Sequence, residues 1–158
     1  AQPAHDAYER IQRGVSTRRQ LVTAEQIMNS PVVTLGPDAS FEQAAALIKK
    51  SRLRHVPIVE NDSTLIGIIS DRDLLRYALS VDAAARKHLS TLKVREIMVS
   101  DVISAAAQTE IREIARVMFE ERIGAMPITN EASVLVGILT RSDILRALLA
   151  KAPLELWS

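Results

Sequence analysis

Short continuous runs of apolar residues alternate with stretches in which apolar positions recur every three or four residues. The runs cover Val56 to Val59 and Leu65 to Ser70, and polar residues separate them. This pattern is typical of two adjacent buried strands. A helical spacing across residues 44–48 follows Ser40 and Gln43, which form the sequence signature of a capping box. The chain is therefore predicted to mix short strands with amphipathic helices.

The same order of elements recurs, without a gap, when the sequence is shifted by about 70 residues. Matching pairs include Ile27-Met28 with Ile97-Met98, Pro57-Ile58 with Pro127-Ile128, Gly67 with Gly137, and Asp73 with Asp143. We therefore predict two copies, residues 22–80 and 93–150, each with the order β-α-β-β-α, in an α/β (α+β) fold.

Each copy also has an expected first strand, at Val32–Thr34 and at Val102–Ser104, and Thr109 is expected to cap the first long helix of the second copy. About 55 residues bury little apolar surface on their own. The copies are therefore expected to pack as a pseudo-twofold pair, with clefts between them.

Three segments flank or join the copies. Residues 1–21 carry four arginines and are expected to form a basic arm or a solvated helix. Residues 81–92 are predicted to be a helical linker, and residues 151–158 to be an apolar tail that docks on the module or on a second chain.

Composition argues against several classes of function. A formal net charge of +1 gives no field that favours nucleic acid or an anionic membrane, and no apolar run reaches the length of about 20 residues that a membrane span needs. The absence of cysteine excludes disulfides and thiolate metal sites and is compatible with the cytoplasm. The three histidines are far apart, which argues against a zinc site. No catalytic triad or pair of acids is evident, so we predict no enzyme activity.

The motifs of both copies resemble those of a pair of cystathionine-β-synthase-type (CBS) domains, the arrangement called a Bateman module. In the first copy they read I-M-x-S-P-V-V-T, R-H-V-P-I-V and L-I-G-I-I-S-D-R-D-L-L, and in the second G-A-M-P-I-T and L-V-G-I-L-T-R-S-D-I-L. The resemblance covers residues 22–150 and implies a homodimeric regulatory module. Such modules require no cofactor; they bind AMP, ADP, ATP or a related adenosyl compound as a regulatory ligand and act on an attached or partner protein.

The resemblance also implies which residues bind the ligand. They lie at the ends of the short strands, around the strand prolines and at the Ser/Thr-x-x-Asp turns: Thr34, Arg54, His55, Val56, Pro57, Ser70, Arg72, Asp73, Ser104, Ala125, Met126, Pro127, Thr140, Arg141 and Asp143. One cleft is expected to join Thr34 and residues 54–57 to Thr140 and Asp143, and the other to join Ser104 and residues 124–127 to Ser70 and Asp73.

The two aspartates have a specific chemistry. Asp73 and Asp143 each follow a hydroxyl residue by three positions, in the first turn of a predicted helix, where the helix dipole stabilises a carboxylate. Such a carboxylate can accept hydrogen bonds from both hydroxyls of a ribose. The alternative is an ordinary capping box.

Other candidate residues also have two interpretations. Val56 and Met126 fit the core and the wall of an adenine slot equally well, and the arginines fit either phosphate binding or solvent. Gly67 and Gly137 indicate close approach of a ligand or a backbone, or a tight contact between sheet and helix.

The two clefts are not expected to be equivalent, because His55 is replaced by Ala125 in the second copy, and Asp71 stands where the second copy has Arg141. The site of Asp73 is therefore expected to prefer a ligand of low charge or to stay empty. A second functional hypothesis is a structural dimerisation module with its clefts filled by side chains.

Overall fold

The computed structural model describes residues 22–151, so the predicted N-terminal arm and the C-terminal tail lie outside the described residues. In chain order the elements are α1 (Ala24–Ile27), α2 (Phe41–Ser51), β1 (His55–Val59), β2 (Leu65–Ser70), α3 (Asp71–Ser80), α4 (Ala83–Arg86), a 3-10 turn (Val94–Glu96), α5 (Ile111–Glu120), β3 (Ala125–Thr129), β4 (Leu135–Thr140) and α6 (Arg141–Lys151). The mixed α/β class is confirmed, and the predicted linker contains α4. None of the helices in residues 22–151 is long and apolar enough to span a membrane.

Each copy contains one antiparallel hairpin, β1 with β2 and β3 with β4, and the two hairpins have the same register. The expected first strand is reduced to a single parallel bridge, at Leu35 in the first copy. The Leu35 N–H donates to the Pro57 carbonyl at 3.1 Å, and the Leu35 carbonyl accepts from the Val59 N–H at 3.0 Å. The chain turns directly after Leu35, where the Gly36 carbonyl accepts the Ala39 N–H at 3.2 Å, and enters α2; the predicted strand residues Val32–Thr34 form no bridge.

The segment in front of each copy packs on the other copy. We call residues 22–29 and 92–99 the leading segments. Val94, at 0% exposure, lies in the core of the first copy, and Ala24, also at 0%, lies in the core of the second. Backbone hydrogen bonds fix the exchange, from the Ile68 N–H to the Val99 carbonyl and from the Asn29 N–H to the Ile138 carbonyl, each at 2.9 Å. Neither copy has a complete core without the other.

The leading segments also satisfy the first backbone donors of the long helices. The predicted capping box of α2 is present, because the Gln43 N–H donates to Ser40 Oγ at 3.1 Å and the Ser40 N–H donates to Gln43 Oε1 at 2.8 Å. The predicted Thr109 cap of α5 is wrong, since the helix begins at Ile111 and no side chain caps it. Instead the Ile111 N–H donates to the Val22 carbonyl at 2.8 Å, so an exchanged segment takes over the role of the cap.

The mid-strand glycines accept side chains of the leading segments. A Cβ on Gly67 would collide with the Met98 sulfur, and a Cβ on Gly137 would collide with the Met28 sulfur. Neither a ligand nor a backbone is the close neighbour; each glycine makes a notch for a methionine from the other copy. The two hairpins meet directly as well, where the Leu65 N–H donates to the Ser133 carbonyl at 3.0 Å.

Candidate functional site

A cavity of about 580 Å³ lies between the two copies. Its walls come from the start of α3, the chain after the second leading segment, the turn between α5 and β3, and the start of α6. The lining residues are Arg54, His55, Ile68, Ile69, Ser70, Asp71, Arg72, Asp73, Leu75, Arg76, Val99, Asp101, Val102, Ile103, Arg122, Ile123, Gly124, Ala125 and Arg141. Both copies contribute, which follows from the exchange of the leading segments.

Asp73 stands in this cavity with one carboxylate oxygen engaged and one open. Its Oδ2 accepts the N–H and the hydroxyl of Ser70, both at 2.8 Å. Within residues 22–151 no donor reaches its Oδ1, and the side chain is half-buried. The capping box predicted as an alternative is therefore present and still leaves an acceptor for a ligand.

Asp143, its counterpart, is in a different state. Its Oδ2 accepts the N–H and the hydroxyl of Thr140 and the side-chain amide of Asn29, all at 2.8 Å. Its Oδ1 accepts from Arg146 at 3.3 Å, and the residue is only 7% exposed. Both oxygens of this carboxylate are thus used within the chain.

His55 bridges the two copies at the floor of the cavity. It begins β1, opposite Ser70, and its imidazole lies so close to Gly124 that a Cβ there would be 2.7 Å from the ring. Burial lowers the pKa of His55, although the carboxylates of Asp71 and Asp73 oppose the effect. The ring is therefore neutral near pH 7, with one nitrogen free to accept and the other to donate a hydrogen bond.

The lowered pKa predicts a pH dependence of folding stability. Because the unfolded chain binds a proton on His55 more readily than the folded chain, acidification below the ordinary histidine pKa of about 6.5 favours unfolding. Urea denaturation at pH 7.5 and pH 5.5 should show a larger loss of stability for the wild type than for His55→Gln. His88→Gln, which changes an exposed histidine, should behave as the wild type does. Equal losses in wild type and His55→Gln would contradict the prediction.

The cavity is rich in cations. Five arginines line it, against three aspartates, and Asp71 is itself paired with Arg54, Nε to Oδ2, at 3.6 Å. Asp71 led us to expect a ligand of low charge at the site of Asp73. That expectation changes, because Arg54 offsets the charge of Asp71 and Arg141 lies in the same cavity. Guanidinium groups suit phosphate oxygens, so the arrangement favours a ligand that carries negative charge at one end.

The structure brings about half of the predicted site residues together. Those that line the cavity are Arg54, His55, Ser70, Arg72, Asp73, Ala125 and Arg141. Those outside its lining are Thr34, Val56, Pro57, Ser104, Met126, Pro127, Thr140 and Asp143. Val56 and Met126 are core residues, at 0% and 1% exposure. Residues 54 and 55 were expected in the cleft of Thr140 and Asp143, but they line the cavity that contains Asp73.

Sequence reasoning missed several walls of the cavity. Val99, Asp101 and Ile103 enter it because the second leading segment packs beside β2, which no local pattern announces. Arg122 could have been found, since it repeats Arg52 in the register of the two copies. Val102, from the expected first strand of the second copy, also lines the cavity.

The sequence profile of the CBS domain matches residues 24–80 and 94–150, which is most of the chain. The chain belongs to the CBS domain family. Its two copies are two CBS domains, and the cavity lies between the members of this pair.

Relatives and solved structures agree with this assignment. The CBS domain pair of protein MJ0100, solved with 5′-methylthioadenosine and S-adenosyl-L-methionine, has a TM-score of 0.73 and 27% identity and covers 84% of this chain and 99% of its own. A CBS domain-containing protein of Dictyostelium discoideum is 28% identical over 81% of this chain and 92% of its own length.

Other relatives carry the pair inside longer proteins. Inosine-5′-monophosphate dehydrogenase of Methanocaldococcus jannaschii is 29% identical over 86% of this chain, but only 25% of the enzyme is matched. The chain spans between 23% and 38% of the length of three curated relatives that it matches.

Proposed function

We propose that this CBS domain pair is a regulatory sensor that binds an adenine nucleotide or a related adenosyl ligand in the cavity between its domains. The observation that carries the proposal is the open Oδ1 of Asp73 within that cavity. The pair from protein MJ0100, which was solved with two adenosyl compounds, supports the same ligand class.

Different lining residues would contact the ribose, the adenine ring and the phosphates of such a ligand. The carboxylate of Asp73 would accept the ribose hydroxyls, and the apolar side chains of Val102 and Ile123 would flank the adenine ring. The arginines would meet the phosphates, with Arg122 and Arg141 supplied by the second domain. AMP, ADP and ATP each contain these three parts: a ribose, an adenine ring and at least one phosphate.

The mechanism we propose is conformational coupling without catalysis. A ligand in this position touches segments of both domains, so its affinity depends on how the two domains are arranged. The difference in affinity between two arrangements sets how far binding shifts the population. The shift would be passed to an attached domain or a partner protein, in the cytoplasm.

Asp73→Asn is expected to raise the Kd for the adenosyl ligand about 10- to 100-fold. Hydrogen bonds to a charged carboxylate contribute about 1.5–3 kcal/mol, and asparagine keeps the shape of the side chain while losing its charge. Isothermal titration calorimetry with AMP, ADP, ATP, S-adenosylmethionine and 5′-methylthioadenosine measures the effect.

Asp71→Asn is the matched control. It also removes one negative charge, two residues before Asp73, but the carboxylate of Asp71 is paired with Arg54. Its Kd should stay within about threefold of the wild-type value, as for the loss of one exposed charge. Flat titrations of the wild type with all five compounds would refute the proposal, and so would equal effects of the two variants.

Apolar surface favours a dimerisation role as the second candidate. Five leucines on α3 and α6 are more than half exposed: Leu75, Leu79, Leu145, Leu148 and Leu149. They occupy related positions of the two domains, and a second copy of the chain would cover them. A chain that sediments as a dimer but binds none of the five compounds would establish this candidate in place of the sensor.

A further inference from the structure

We propose that each chain binds one adenosyl ligand rather than two, because Asn29 closes the carboxylate of the second domain while Val99 leaves the first one open. The inference rests on the proposed function of the cavity at Asp73. It deepens that function by assigning the number of ligands to one pair of residues.

The two aspartates begin from the same local arrangement. In each domain the residue three positions earlier donates its N–H and its hydroxyl to one carboxylate oxygen, Ser70 to Asp73 and Thr140 to Asp143. The difference between the sites must therefore come from a residue outside these turns.

Asn29 and Val99 are that difference. Each is the last residue of a leading segment, and each pairs with the middle of the facing strand, Asn29 with Ile138 and Val99 with Ile68. The backbone hydrogen bonds agree closely, since Asn29 exchanges bonds of 2.9 and 3.1 Å with Ile138, and Val99 exchanges two of 2.9 Å with Ile68. The side chains therefore start from equivalent places and differ in chemistry alone.

The Asn29 amide replaces a ligand hydroxyl. Its Nδ2 lies 2.8 Å from Asp143 Oδ2, the distance that a ribose hydroxyl would take as a donor. Oδ2 then accepts three donors from the chain, Arg146 contacts Oδ1 at 3.3 Å, and the residue is buried. A ligand would have to break the amide contact before it gained its own.

Val99 has no polar group to offer in the same place. It lines the cavity and adds no donor to Asp73, whose Oδ2 accepts from Ser70 alone and whose Oδ1 accepts from none of the described residues. The first domain therefore has the carboxylate that is ready for a ribose, and the second has one that the chain already occupies.

Exchanging the two side chains tests the inference. Calorimetry with ADP and with 5′-methylthioadenosine should give one ligand per wild-type chain. Val99→Asn should weaken binding at least about tenfold, because the new amide would occupy Asp73 Oδ2, as Asn29 occupies Asp143 Oδ2, and leave only Oδ1 for the two ribose hydroxyls. Asn29→Val should raise the stoichiometry towards two.

Val33→Asn is the matched control, since Val33 is 45% exposed and Val99 is 46% exposed, but Val33 does not line the cavity. It should bind as the wild type does. Thermal melting identifies any variant that fails to fold, and Asn29→Ala then replaces Asn29→Val.

The outcomes separate the inference from the function on which it rests. Two ligands per wild-type chain, unchanged binding by Val99→Asn, or a stoichiometry of one in both Asn29 variants would overturn the inference and leave the sensor function intact. A wild type that binds neither compound would overturn the function itself.

Discussion

Val94→Asp is expected to lower the free energy of unfolding by more than about 4 kcal/mol, enough to prevent the first domain from folding. Val94 belongs to the second domain by sequence but is fully buried in the core of the first, among residues such as Ile58 and Leu74. A carboxylate there would have no cation or solvent to stabilise it. Urea denaturation followed by circular dichroism measures the loss.

Val33→Asp provides the comparison for this substitution. Val33 belongs to the predicted first strand of the first domain and is 45% exposed. Its replacement should therefore change the free energy of unfolding by less than about 0.5 kcal/mol. If Val94→Asp were as mild as Val33→Asp, the exchange of leading segments would be wrong. Every wall of the cavity supplied by that exchange would then be in doubt.

Asp143→Ala is expected to lower the free energy of unfolding by about 3 kcal/mol. The substitution removes a buried carboxylate that accepts hydrogen bonds from Thr140 and Asn29, and each hydrogen bond to a charged group contributes about 1.5–3 kcal/mol. Thermal and chemical denaturation both report this loss, and ligand is left out so that only the fold is measured.

Asp73→Ala serves as the internal comparison, since Asp73 holds the same position in the first domain. Among the described residues it accepts only from Ser70, and it is half-buried, so the loss of its capping bonds should cost about 1 kcal/mol. Equal losses in the two variants would contradict the division into a structural carboxylate and a binding carboxylate. A larger loss for Asp73→Ala would reverse it.

Local patterns were sufficient for the hairpins and most helix starts. The apolar runs predicted β2 at its observed bounds and β1 to within one residue, and the Ser40–Gln43 pair predicted the start of α2. These elements depend on neighbours within a few residues, which a sequence displays directly. The first strand was wrong, because the pairing with β1 is made by Leu35 alone, directly after the predicted residues Val32–Thr34.

The leading segments could not be predicted in the same way. Their partners lie far along the chain, and the Asn29 side chain reaches Asp143 over a separation of 114 residues. The repeat indicated that the two domains pair, but not which domain receives each segment. The cap of α5 was missed for the same reason, since its partner is Val22.

The site was predicted as far as the turn that carries Asp73. Ser70, Arg72 and Asp73 are neighbours at the start of α3, so their grouping followed from local structure, whereas Arg122 and Arg141 come from the second domain. Val56 and Met126 had two interpretations, and their burial in the cores decides between them. The unequal state of the two aspartates depends on a side chain from another element and was beyond the reach of any local motif.

A crystal structure of the chain with ADP tests the central claim most directly. The account predicts nucleotide in the cavity between the domains, with a ribose hydroxyl within about 3.2 Å of Asp73 Oδ1 and the phosphates towards Arg122 and Arg141. The Asn29 amide should remain on Asp143. Nucleotide bound at Asp143, or on the outer face away from both carboxylates, would contradict the account.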